Sequence, residues 1–266
     1  MADHPQLART LLDDKMAPPI PNIAHIETED DTPVDNLFSE KEMRLLADIL
    51  VNGWRGPADG RPFVVMTNVG VFSGLRLPAL APDLLLSLGV TYPADIGAKE
   101  HRSYFVWEYG KPPDVVVEIV SNQKGDELSD KLLDYARIGV SYYVVHDPYH
   151  HLGAETVRVF ERKGSSLREL SEFWLEEVGL GLLLWQGDYE GVPNLWLRWC
   201  TRDGALIPTA REATLRAETE AAAEQERAAQ AEHRATQAEQ LAEAEHQRAE
   251  ALSARLRALG IDPDAA

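Results

Sequence analysis

Glu118 is the residue from which a chemical reading of this sequence starts. It interrupts a β-branched run, Val115, Val116, Val117, Ile119 and Val120, which has the composition of a strand buried on both faces. Moving an unpaired carboxylate out of water costs several kcal/mol, so Glu118 calls for a cation, a metal or a proton to compensate it. Asp114 shares its side of the strand but lies about 13 Å away at roughly 3.3 Å per residue, too far for one ion to bind both. A partner acid must come from another strand. Asp83, at the head of Leu84–Leu88, repeats the Pro-Asp entry of Pro113-Asp114 and is the natural offer. The plain alternative for either aspartate is a loop cap or a pairing with a nearby base. Downstream, Lys131 and Tyr135 stand four apart and so share one helix face. Lys131 could lie in solvent or neutralise Glu118, and Tyr135 could simply pack.

The elements that must position these groups follow from the same stretch. Pro113 to Pro148 reads as strand, loop, helix and strand: the Val115 run, SNQKGDE, a helix over Glu127 to Ile138 stopped by Gly139, and a strand over Val140 to His146. Strand, helix and strand this close together predict a right-handed parallel crossover. Upstream, Ser39 precedes Glu42 by three residues and opens an apolar helical pattern, which predicts a capping box and a helix over Glu40 to Trp54. Phe63–Thr67, Gly70–Phe72, Leu84–Leu88 and Tyr104–Trp107 predict further strands of a mixed sheet. Thr156–Phe160 and the LGLLLW run add two more, with Trp174, Trp185, Trp196 and Trp199 as large packing residues.

The combined pattern of PDVVVEIVS, Asp126, the Lys131 and Tyr135 pair, Gly139-Val140 and YYVVHDP resembles the Uma-two family of restriction-endonuclease-like proteins, a branch of the PD-(D/E)xK nuclease superfamily. The similarity extends upstream through PVDNLFSEKE, NVGVF, APDLLLSLGV and RSYFVWEYGKPPD, covering about residues 30 to 185. It implies an α/β fold, a restriction-endonuclease-like mixed sheet flanked by helices, and a Mg²⁺- or Mn²⁺-dependent endonuclease acting on DNA. By this resemblance Asp83 and Glu118 occupy the metal-binding positions, with the Ile119 carbonyl as a further ligand. These hard oxygen donors suit Mg²⁺ or Mn²⁺ better than zinc. The superfamily lysine is missing two residues after Glu118, where Val120 stands. Lys131 takes its place from the helix, with Lys124 in the loop as a substitute; either would position water or stabilise developing negative charge. Tyr135 and a glutamate of the first helix, Glu42 or Glu40, are accessory candidates.

The 266 residues are 44% hydrophobic with a net charge of −18, ordinary for a globular core and wrong for a protein that coats nucleic acid by bulk electrostatics. Any DNA contact is therefore a local patch, for which Arg61, Lys99, Arg102, Lys111 and Lys124 are candidates. The lone Cys200 excludes a disulfide framework and fits a reducing cytoplasm. His146, His150 and His151 cluster at the Asp147-Pro148 turn but lack the partners of a metal site. Neither an apolar run long enough for a membrane span nor a leader pattern is read. Residues 1–35 read as an acidic, proline-containing arm, 36–207 as the nuclease-like domain around one compact core, 208–260 as an Ala/Glu/Arg-rich helical tail, and 261–266 as a disordered end. The tail suits an alanine-rich coiled coil or a solvated helix, with association through Leu241 to Leu259, to copies of the chain or a partner protein, as the better reading, and a chain ending near Thr209 is expected to fold. A second reading of the whole is a degenerate nuclease fold that serves binding or assembly.

Overall fold

The computed structural model describes residues 36–74, 77–98, 101–121 and 126–260. The expected N-terminal arm, the 261–266 end, Lys99 and Lys124 lie outside the described residues. In chain order the elements are α1 (Leu37–Asp48), continued by a π-helical turn at Ile49–Gly53, β1 (Phe63–Thr67), β2 (Val71–Phe72), β3 (Leu84–Leu88) and β4 (Tyr104–Phe105). Next come α2 (Val106–Tyr109), β5 (Val115–Ile119), α3 (Asp130–Ile138), β6 (Tyr142–His146), β7 (Val157–Lys163) and β8 (Ser166–Glu169). The chain closes with β9 (Trp174–Leu175), β10 (Leu180–Tyr189), β11 (Val192–Cys200) and α4 (Ala210–Ala258). The core is mixed α/β, with a central sheet flanked by helices, and α4 is the long C-terminal helix.

The described chain divides into two compact units instead of the single core that composition suggests. In the first, β3, β5, β6, β7 and β8 follow one another across the sheet. β5 and β6 run parallel, Val115 opposite Tyr142 through Ile119 opposite His146, with α3 as their crossover. The pairs β3–β5, β6–β7 and β7–β8 are antiparallel, so the sheet is mixed. All five residues of β5 and all five of β6 are buried, as strands covered on both faces must be. Gly139 ends α3 in the left-handed region at φ 96°, and its N–H and that of Val140 both donate to the Tyr135 carbonyl.

Three expected boundaries shift for local reasons. α1 starts at Leu37, and its cap is Asn36, whose Oδ1 accepts the Ser39 N–H at 3.0 Å; Ser39 lies inside the helix and is not the capping residue. α3 starts at Asp130 and not Glu127, because residues 127–129 form a turn in which the Asp126 carbonyl accepts both the Ser129 and the Lys131 N–H, each at 3.0 Å. The expected Tyr104–Trp107 strand gives way after Phe105 to the single helical turn α2.

In the second unit the apolar LGLLLW run is not a short strand but half of a long hairpin, with β10 pairing along its length with β11 from Gly181 opposite Cys200 to Tyr189 opposite Val192. Trp196 and Trp199 are buried there, and the Trp199 indole donates to the Leu46 carbonyl at 3.1 Å. Arg198 is 1% exposed, and its guanidinium grips Glu212 of α4 through both nitrogens, at 2.8 and 2.7 Å. Burial works against the charge of Glu212, yet the Arg198 and Thr209 hydrogen bonds hold its carboxyl below the usual range. Thr209 and Glu212 also close a capping box at the start of α4. The first turn of the tail is therefore part of this unit's structure, and a chain cut near Thr209 would leave Arg198 buried without its carboxylate.

Candidate functional site

Glu118 is 4% exposed on the fully buried strand β5, and both of its carboxylate oxygens are engaged from α3. Lys131 donates to Oε2 at 2.9 Å and the Tyr135 hydroxyl donates to Oε1 at 2.6 Å. The four-residue spacing puts both donors on one helix face, and the parallel crossover lays that face against β5. Burial raises the Glu118 carboxyl above its ordinary value, while Lys131 and the Tyr135 hydrogen bond pull it back down. Burial alone would lower Lys131, but Glu118 and Glu127 together raise it, so the ammonium stays charged. Burial and the Glu118 charge push the Tyr135 hydroxyl well above the usual range, which keeps it a proton donor.

Asp83 comes to the same place along the antiparallel ladder. Leu84 faces Val117, so one step further sets Asp83 opposite Glu118, and its Oδ2 accepts the Ile119 N–H at 2.5 Å. At Ile119 this amide bond is the contact that ties the position to Asp83. Asp114, by contrast, pairs with Lys111 at 2.5 Å, which matches the structural reading of that residue.

A third acid joins the cluster that the sequence did not single out. Glu127 is 6% exposed, accepts from Lys131 at 3.1 Å through Oε1, and has a buried Oε2 with no hydrogen-bond partner among the described residues. Its carbonyl accepts the hydroxyl of Tyr143, itself pushed well above the usual tyrosine range by burial and by Glu118, Glu127 and Asp83. The signal was the four-residue Glu127–Lys131 spacing, hidden behind the reading of Glu127 as the first residue of a helix. Glu118 and Glu127 thus share the Lys131 ammonium, with Asp83 held beside them on the Ile119 N–H.

The other candidates lie elsewhere. Glu42 is fully buried against His146, whose Nδ1 is 3.9 Å from the carboxylate, with Phe38 edge-on to the imidazole ring. Burial lowers His146 to about 4, with Asp147 opposing, so the ring is neutral at pH 7. Glu40 pairs with Arg44 at the exposed surface of α1. Of the expected basic patch, Lys111 is taken up by Asp114, Arg61 by Asp59 and the Glu177 carbonyl, and Arg102 donates to the Gly97 carbonyl. Among the described residues no group of three or more His, Cys, Asp and Glu has the geometry of a metal site, the histidine cluster included.

For Mg²⁺ the donor chemistry nevertheless fits, since that ion is usually held by one or two carboxylates with water completing the shell. Asp83 and Glu118 supply two from neighbouring strands, Asp83 one step beyond the Leu84–Val117 pair.

An acid on one strand, a Glu on its neighbour and a lysine beside it define a PD-(D/E)xK-like domain. The chain belongs to the Uma2 family, whose model, described as "Putative restriction endonuclease", matches residues 32–184. No curated protein matches the chain. Among the described residues no helix is long and apolar enough to cross a membrane.

Proposed function

We propose that this protein is a Mg²⁺- or Mn²⁺-dependent endodeoxyribonuclease with Asp83 and Glu118 as metal ligands, the Ile119 carbonyl as a third, and Lys131 as the cationic catalytic residue. The observation that carries the reading is Lys131 on Glu118 at 2.9 Å, one rung across from Asp83, because it restores in space the lysine that the sequence lacks after Glu118. A divalent cation held there would polarise a phosphoryl oxygen and make water a better nucleophile. The remaining work belongs to the chain. Tyr135 fixes the Glu118 carboxylate by its 2.6 Å hydrogen bond, and Glu127 holds Lys131 at the end of its flexible stem. The Lys131 ammonium then offers a fixed positive charge to the negative charge that develops on phosphate, which is where preorganised charge contributes most. Glu42 stays an accessory candidate, set against His146. DNA is the proposed partner, and α4 the proposed association element for a second copy or a partner protein.

One observation favours the second reading, of a degenerate nuclease fold used for binding or assembly. Both Glu118 oxygens are already satisfied by Lys131 and Tyr135, as in a purely structural buried pair. Incubating the full chain with supercoiled plasmid and Mg²⁺ or Mn²⁺ separates the two. The nuclease reading expects nicking that needs the cation and falls by several orders of magnitude in Lys131→Met, because one such charge contributes roughly 3 to 4 kcal/mol at a transition state. Asp114→Asn, which loses the Lys111 ion pair, should cleave like the parent. Absence of cleavage with either metal, or equal cleavage by Lys131→Met, would move the conclusion to the binding module.

A further inference from the structure

α4 runs for 49 residues, and from Thr214 to Leu259 its apolar positions recur at alternate steps of three and four: Thr214, Ala217, Ala221 and onward to Leu252, Leu256 and Leu259. Of the fourteen positions so defined, twelve are Ala, Leu or Thr, and all but Leu256 are exposed. A repeat of seven held this long keeps one seam on one side of an under-wound helix and needs a facing helix of the same period. Alanine at most of the seam allows close approach of the two backbones, and the three leucines concentrate apolar area at the C-terminal end.

The residues flanking the seam identify the occupant. On one side stand Glu220, Arg227, Arg234, Arg248 and Arg255; on the other stand Glu218, Glu232 and Glu239. In a parallel, in-register pair each residue of the first flank faces the residue five positions later on the second flank of the other helix. Arg227 then meets Glu232 and Arg234 meets Glu239, twice each by symmetry. An antiparallel pair of the same helices at full overlap sets Arg227 against Arg248 and Glu232 against Glu239, both repulsive, with Glu220 against Arg255 as its one attractive flank pair. Glu224 and Glu245 interrupt the seam and in register each faces its own copy, with Arg227 3.7 Å from Glu224 on the same helix.

We infer that Thr214–Leu259 forms a parallel, in-register, two-stranded coiled coil with a second copy of this chain. The inference rests on the reading of α4 as an association helix and adds the partner, its direction and its register. Parallel pairing brings the chain preceding each helix to the same end of the coil.

The test uses the full chain. Sedimentation equilibrium should give twice the 29.6 kDa chain mass, and oxidation of Ala221→Cys or of Leu252→Cys should each give a disulfide-linked dimer by itself, with the parent and its buried Cys200 as the blank. Arg227→Glu with Arg234→Glu should reduce the mass to that of one chain, and adding Glu232→Arg with Glu239→Arg should restore the dimer. A monomeric parent overturns the association reading together with the inference. Cross-links that appear only when the two cysteine variants are mixed overturn the parallel direction alone. A trimer or tetramer overturns the two-stranded form, and a charge-reversed variant that stays dimeric overturns the flank pairing.

Discussion

Replacing Lys131 by methionine keeps the apolar stem and removes only the cation. Glu118 then loses its 2.9 Å contact and Glu127 its 3.1 Å contact, leaving two acids of 4% and 6% exposure with the Tyr135 hydroxyl as the remaining donor to Glu118. Breaking a buried pair by deleting one partner costs about 3 to 5 kcal/mol; because the Lys131 side chain is 34% exposed and reached by water, the low end, about 3 kcal/mol, is expected. The pH dependence has a definite sign. Glu118 is raised in the folded state, so its folded form takes up a proton before the unfolded chain does, and that favourable balance is lost as pH rises through the folded value. Without Lys131 the rise is larger. The stability gap between parent and variant should therefore be widest near pH 8 and narrow toward pH 5. Urea denaturation followed by tryptophan fluorescence, without divalent cations, measures it across that range. A variant as stable as the parent at pH 8, or a gap that stays constant down to pH 5, would refute the assignment of Lys131 as the neutralising partner.

Tyr135→Phe removes one donor from a buried carboxylate and should lower stability by about 1.5 to 3 kcal/mol at pH 7, read in the same denaturation; no change would mean that the 2.6 Å contact contributes nothing. His146, lowered to about 4 by burial, takes up its proton more readily unfolded, so folding should lose roughly 3 kcal/mol as pH falls from about 6.5 to about 4. His146→Gln should flatten that limb of the stability profile, and an unchanged limb would place the acid sensitivity elsewhere. Ending the chain after Arg216 should preserve folding of the second unit, whereas ending it at Thr209 should cost about 3 kcal/mol by stranding Arg198; equal melting of the two truncations would contradict this.

Much of the site's geometry was legible because its parts break local rules. A carboxylate inside a β-branched run demands compensation, and a Lys and a Tyr four apart on the next helix can supply it together; Glu118, Lys131 and Tyr135 do meet. The Pro-Asp entry to β3 pointed to Asp83, whose position opposite Glu118 then follows from ladder register. What stayed hidden depends on turns or on distance along the chain. Glu127 looked like the start of a helix because nothing in the sequence announces the turn centred on the Asp126 carbonyl. Ser39-x-x-Glu42 imitates a capping box, yet Asn36 caps and Glu42 is buried 3.9 Å from His146, 104 residues away, a proximity that only tertiary folding creates. Arg198 and Glu212 likewise sit on opposite sides of an apparent domain boundary, and neither shows its partner in the sequence.

The central claim is that Asp83 and Glu118 together hold a divalent cation. Isothermal titration of Mg²⁺ and Mn²⁺ into the parent chain, Asp83→Asn and Glu118→Gln tests it without requiring turnover, since both substitutions keep the shape and remove the metal-binding charge. One site in the parent and none in either variant is the expected result. Binding retained in Glu118→Gln, or absent from the parent, would contradict the claim.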